Sequence, residues 1–138
     1  MKYTTNYYET FIEVAEDCPV ETAVIPAPGK NGAKTIALYQ YEMISQHPYQ
    51  YTSDDVLFEV HAQRKEIPES DKETKREKFF SKGQPCMRSS PLGKRFGWGV
   101  HSNEDGKIAI YAVESDEYRR LANDNTIRHL KAMRSKRA

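Results

Sequence analysis

A chain of 138 residues is long enough to enclose one hydrophobic core and too short for two independent ones, so a single domain is expected. Its hydrophobic share of 38% is low and its charged share of 30% is high, yet nine tyrosines and five phenylalanines supply apolar bodies that argue against a disordered chain. The net charge of +1 conceals a split: up to Ala62 nine acids face Lys2, Lys30 and Lys34, leaving that half about six units negative and the remainder about seven positive. Such a split favours self-complementary oligomerisation or an anionic partner for the second half, unless the halves fold together and cancel their fields, which is the simpler expectation.

No apolar run reaches bilayer length and the opening MKYTTNYYETF lacks a signal-peptide core, so no membrane partner is expected and the cytoplasm is the expected location. Cys18 and Cys86 then read as reduced thiols rather than a disulfide.

In chain order, YETFIEVAED sets Thr10, Ile12 and Val14 on one alternation beside Phe11 and stops before Pro19, which predicts a strand. IPAPGKNGAK, residues 25–34, concentrates two prolines and two glycines and reads as a loop, the best candidate for a flexible excursion. From Thr35 onward Ile36, Tyr39 and Met43 recur at helical spacing, with Ala37, Tyr41 and Ile44 as the neighbouring row. His47-Pro48 stops the run, so a helix over about 35–46 is expected. YTSDDVLFEVHAQRK offers Thr52 or Ser53 as an N-cap, with Asp54 and Asp55 where carboxylates meet the positive end of the helix dipole. Val56 and Val60 would line its buried face beside Leu57; a strand through VLFEV is the competing reading, because β-branched and aromatic residues crowd there.

PESDKETKREKFFSKG places Ser70 and Glu73 at capping-box spacing and Gly83 where a C-terminal glycine cap belongs, with Phe79 and Phe80 pinning one end of a solvated helix. In WGVHSNEDGKIAIYAVES, Asp105-Gly106 gives a turn and Ile108, Ile110 and Ala112 alternate against Lys107, Ala109 and Tyr111. This predicts a hairpin with the strand through Val100. Ser115, Asp116 and Glu117 then read as a cap and first helical turn carrying Tyr118 and Leu121. A last helix is expected from near Thr126, with Ile127, Leu130 and Met133 on one face, dividing the chain into a domain over 1–125 and a basic C-terminal helix or tail over 126–138. The fold class is α+β, a small, mostly antiparallel sheet with three to five helices packed on it; the element order disfavours a doubly wound parallel sheet.

The stretch CMRSSPLGKRFGWGVH, residues 86–101, is where function is most plausibly carried. No acid falls between Glu77 and Glu104, while Lys78, Lys82, Arg88, Lys94 and Arg95 all lie in that gap. Guanidinium forks, hydroxyls and glycines are the parts of an anion site. The resulting reading is a basic loop from Lys82 to His101 that recognises a small anionic ligand, with Arg88, Lys94 and Arg95 as charge partners, Ser89 and Ser90 as hydrogen-bond groups, and Trp98 as an apolar wall. The P-loop and dinucleotide-binding glycine patterns are absent, so a purely structural loop is the bland alternative.

Together with ETFIEVAEDCPV and YTSDDVLFEVHA, the segment FSKGQPCMRSSPLGKRFGWGVH resembles a family of small, mainly bacterial proteins of unknown function. The resemblance runs from about Thr10 to Tyr118 and is most specific around Cys86, Arg88, Ser90, Pro91, Lys94, Arg95 and Trp98; it implies a stand-alone single domain and carries over no catalytic residue. Gly93 departs from the pattern of the relatives just before the Lys-Arg pair.

Two alternatives stand beside the anion reading. Cys86, among cations and with His61 or His101 as a partner, would be a thiol nucleophile, although Leu92 occupies the sixth position after it where a phosphatase-like loop needs arginine. The tail, with Arg128, Lys131, Arg134, Lys136 and Arg137, would contact nucleic-acid phosphate or the acidic first half of this or another subunit, with Tyr39, Tyr41, Tyr49 and Tyr51 as stacking faces or amphipathic core. A pI near 7.8 disfavours nucleic acid. His47, His61, His101 and His129 stand far apart and Asp54-Asp55 fits a solvated helix start, so neither a metal nor a cofactor is expected.

Overall fold

The computed structural model describes residues 3–136. Four strands, β1 (Thr10–Glu13), β2 (Trp98–Ser102), β3 (Ile108–Ala112) and β4 (Arg128–Lys131), form one sheet in the order β3-β2-β1-β4. β1 runs antiparallel to β2 and parallel to β4, and β2 runs antiparallel to β3. Five helices accompany it: α1 (Ile36–Gln46), α2 (Ser53–Arg64), α3 (Lys72–Phe79), α4 (Pro91–Lys94) and α5 (Asp116–Ala122). The molecule is therefore the α+β domain that its patterning predicts.

Residues facing each other across paired strands share a face of the sheet. The face that holds Ile12, Val100 and Ile108 meets Ile44 of α1, Val56 and Val60 of α2 and Leu92 of α4 in the main core. On the opposite face Phe11 meets Tyr118 of α5 edge to face, with ring centroids 4.9 Å apart. β1 is covered on both sides, which is why Thr10, Phe11 and Ile12 are all buried.

The helix starts follow their capping residues. Thr35 Oγ1 accepts from Leu38 N (3.1 Å) at α1, and Ser115 Oγ accepts from Tyr118 N (3.1 Å) at α5. At α2 Thr52 and Asp55 close a full capping box, Asp55 N to Thr52 Oγ1 at 3.1 Å and Thr52 N to Asp55 Oδ2 at 3.0 Å, and the strand alternative through VLFEV is not adopted.

Three expectations are corrected. Ser70 does not cap α3: Pro68 starts a short 3₁₀ turn, with Asp71 N donating to Pro68 O (2.9 Å), so Ser70 already lies inside a turn. Gly83 does not cap its end: the helix closes at Phe80, and Ser81 N to Lys78 O (3.1 Å) and Gln84 Nε2 to Phe79 O (2.7 Å) satisfy the last carbonyls. Phe80 does pin that end, fully buried against Phe58 and Ala62.

The third concerns the C-terminal segment, where residues 128–131 form β4 rather than a helix from Thr126. Without it β1 would be an edge strand, with one row of N–H and C=O groups unpaired in a mostly buried setting. Arg128 N donates to Glu9 O (2.9 Å) and Ala132 N to Glu13 O (2.8 Å), so this long-range pairing overrides the three-residue spacing of Ile127, Leu130 and Met133. Ala132 is buried, whereas Met133 remains exposed.

Candidate functional site

A cleft of about 380 Å³ opens between α1, α2 and the segment that connects α3 to α4. Ile36 and Gln40 come from α1, while α2 contributes Leu57, Val60, His61 and Arg64. Those four positions fall three or four apart, the spacing that sets side chains on one face of a helix. The opposite wall is built from Gln84, Pro85, Cys86, Ser89, Ser90 and Pro91, with Phe79 closing one end.

That wall is fixed by local bonding. Cys86 leads into a 3₁₀ turn over Met87–Ser89, with Ser89 N donating to Cys86 O (2.9 Å) and Met87 sunk in the core. Ser90 caps α4, accepting from Leu92 N (3.1 Å), while its Oγ donates to Gln40 Oε1 (2.5 Å). Both partners of the Ser90–Gln40 bond are buried, so this bond ties the segment to α1.

The sequence-predicted ligand residues fall into separate places. Ser89 and Ser90 line the cleft. Arg88 turns away from it, its Nε donating to Lys131 O of β4 (2.7 Å), and Ser89 Oγ also reaches Met133 Sδ (3.1 Å). Lys94 ends α4, Arg95 follows exposed, and neither lines the cleft. Trp98 packs on Tyr41 with ring centroids 5.2 Å apart and donates from Nε1 to Val24 O (2.9 Å), anchoring the loop before α1.

Cys86 lines the cleft together with His61, whereas His101 lies on the far face of the sheet, 2.7 Å from Tyr49 Oη through its Nδ1. Both cysteines are free thiols. Cys86 Sγ is 3.1 Å from Tyr7 Oη, and burial, reinforced by this hydrogen bond, pushes the Tyr7 phenol up to about 12. His61 stacks on Phe79 at 4.7 Å; burial first, and then the charges of Lys65 and Arg64, hold its pKa below the ordinary value. His61 stands where the thiol reading placed a partner for Cys86, whereas Arg64, Gln40 and Gln84 carried no signal in the sequence that marked them as site residues.

Asp54, expected as a solvated capping carboxylate, is buried instead. It accepts from Thr5 N (2.7 Å), Thr5 Oγ1 (2.7 Å) and Thr4 Oγ1 (2.6 Å), clamping the N-terminal segment to the start of α2. Asp55 pairs with Arg76 of α3 at 3.0 Å. Among the described residues no three His, Cys, Asp or Glu side chains gather in an arrangement able to hold a metal ion. The basic tail meets the acidic first half of its own chain: Lys131 lies 3.5 Å from Glu16, and Ser135 N and Lys136 N donate to the Asp17 carboxylate. Arg137 lies outside the described residues. No helix of the described residues is long and apolar enough to cross a membrane.

These features define a small α+β domain with one preformed, largely apolar cleft. The chain belongs to the family of unknown function DUF6157, whose sequence profile matches residues 1–138 and so takes in both ends of the chain. No curated protein and no solved structure matches it.

Proposed function

We propose that the protein is a cytosolic binder of a small anionic ligand, seated in the cleft between α1, α2 and residues 84–91. The observation that supports this most directly is the composition of the cleft: apolar walls from Ile36, Leu57, Val60 and Phe79, with Ser89, Gln84, His61 and the cationic Arg64 as polar groups. Apolar walls with a few convergent polar groups are the usual make-up of a small-molecule site. The two free thiols accord with a reducing compartment.

On this reading Ser89 keeps the role expected of it and Arg64 supplies the charge, Ser90, Arg88 and Trp98 hold the structure around the site, and Lys94 and Arg95 lie outside the cleft. A thermal-shift screen against nucleotides, sugar phosphates and carboxylates tests it. A ligand at about a hundred times its dissociation constant adds roughly 2.7 kcal/mol to the folded state. That shift should vanish in Ser89→Trp, which fills the cleft, weaken in Arg64→Ala, and persist in Arg95→Ala. Loss in Arg95→Ala with retention in Ser89→Trp would return the site to the basic loop.

A second reading is favoured by the meeting of Cys86 and His61 in the same cleft, with Tyr7 on the sulfur. Here Cys86 is a thiol nucleophile toward the bound ligand. It predicts rapid alkylation of Cys86 by iodoacetamide near neutral pH, slowed in His61→Ala; alkylation no faster than that of the unfolded chain would eliminate it.

A further inference from the structure

Beside the cleft lies a second depression of about 540 Å³, formed where the end of α2, the flank of α3 and the residues after α3 converge. Lys65, Lys75, Lys78 and Lys82 line it, with Glu66 as its one acidic residue. Unlike Lys34, Lys72 and Lys131, which are ion-paired, none of these four stands within ion-pair distance of a described carboxylate. A larger depression of about 720 Å³ between α1, α2 and α3 differs in this respect, since its charges are matched as Lys34–Glu42, Asp55–Arg76 and Glu59–Lys72.

The lysine groove and the apolar cleft adjoin, with His61, Phe79 and Gln84 lining both. Backbone carbonyls that would repel an anion there are already closed: His61 O by Lys65 N (3.0 Å), Ala62 O by Ile67 N (3.0 Å) and Phe79 O by Gln84 Nε2 (2.7 Å).

Resting on the cleft reading above, we propose that the groove seats the head of the same ligand, which is a phosphomonoester: an apolar body in the cleft and its phosphate among Lys65, Lys75, Lys78 and Lys82. Four ammonium groups answered by one carboxylate call for more than a single negative charge. A phosphomonoester carries nearly two near neutral pH, and lysine grips phosphate as a mobile point charge. The groove's aromatic rings, Phe79 and His61, are stacked on each other rather than spaced along it, which does not suit the successive base stacking of single-stranded nucleic acid.

The test is isothermal titration of the full chain with hexyl phosphate, hexanol and inorganic phosphate, using wild type, the Lys75→Gln/Lys78→Gln double variant and Ser89→Trp. Lys75 and Lys78 are exposed, so the double variant should retain the wild-type melting temperature. Hexyl phosphate should bind about tenfold or more tighter than either fragment, lose that advantage in the double variant, and be lost altogether in Ser89→Trp. Hexyl phosphate binding no tighter than hexanol, or unaffected by the lysine changes, overturns the phosphate seat while leaving the cleft reading in place. Binding of neither hexanol nor hexyl phosphate, with no hit in the thermal screen, overturns both. Sedimentation with phosphatidylcholine vesicles, with and without phosphatidic acid, separates the sources: lysine-dependent capture only with phosphatidic acid assigns the phosphate to a lipid head group, and hexyl phosphate binding without capture assigns it to a soluble ester.

Discussion

Asp54 and Gly99 are the positions where single atoms carry most. The Asp54 carboxylate takes three hydrogen bonds from Thr4 and Thr5, and removing it strands the buried Thr5 N–H while Thr5 Oγ1 keeps Ser53 Oγ as a neighbour at 2.9 Å. Asp54→Ala should cost about 3 kcal/mol, since bonds to a charged partner and buried unsatisfied donors each weigh 1–3 kcal/mol; urea denaturation measures it, and a loss under about 0.5 kcal/mol would show that the clamp is dispensable. Gly99 is fixed by space rather than by backbone conformation. A Cβ there would stand 2.7 Å from Phe11 Cζ and 2.7 Å from Tyr118 Cε2. Gly99→Ala should therefore destabilise by about 1–3 kcal/mol through overpacking, read from the same denaturation curves, with unchanged stability meaning that α5 can lift off the sheet at no cost.

Elements whose signals are local were legible in the sequence, and those set by distant partners were not. The caps at Thr52 and Ser115 and the turn at Asp105-Gly106 act within a few residues, and each gave the element it implies. β4 is helical by spacing and a strand by partnership, because the open side of β1 is visible only once the sheet is assembled. The site divides in the same way. The wall at 84–91 stood out as a run without acids and His61 as one of two partners for Cys86, but Arg64 sat unremarked on a helix, and Lys75 of α3 was indistinguishable from a solvated face until the groove set it beside the cleft. Deleting the residues after Asn125 should then do more than discharge a tail: it should abolish cooperative unfolding and expose β1 to aggregation, as seen by circular dichroism and light scattering. A truncated chain that melts cooperatively as a monomer would show that β4 is an accessory strand.

At the level of the whole molecule, two partly buried histidines couple folding to acidity. Burial lowers the pKa of His61, with Lys65 and Arg64 adding to it, and lowers that of His101 against the pull of Asp124 and Glu9. The unfolded chain takes up protons at these sites more readily than the fold. Stability should be flat above about pH 6.5 and decline as pH falls below it toward the lowered folded values. Asp17, Asp124 and Glu114, held low chiefly by hydrogen bonds, should extend the decline below about pH 4. Urea midpoints at about pH 7.5 and 5.5 check the upper window, and His101→Gln should flatten part of it; equal midpoints in the wild type would contradict the assignment.

The placing of β1 between β2 and β4 has a consequence for synthesis. β1 is made before either of its partners: its antiparallel neighbour lies near residue 100 and its parallel one ends at residue 131. Until those partners are made it is a ribbon of Thr10, Phe11 and Ile12 with both edges bare, and contacts of such high sequence separation close slowly. The sheet thus cannot close until β4 has been made, and a nascent chain stalled after α5 would be a client for chaperones, complete in its helices yet lacking the strand that seals its sheet.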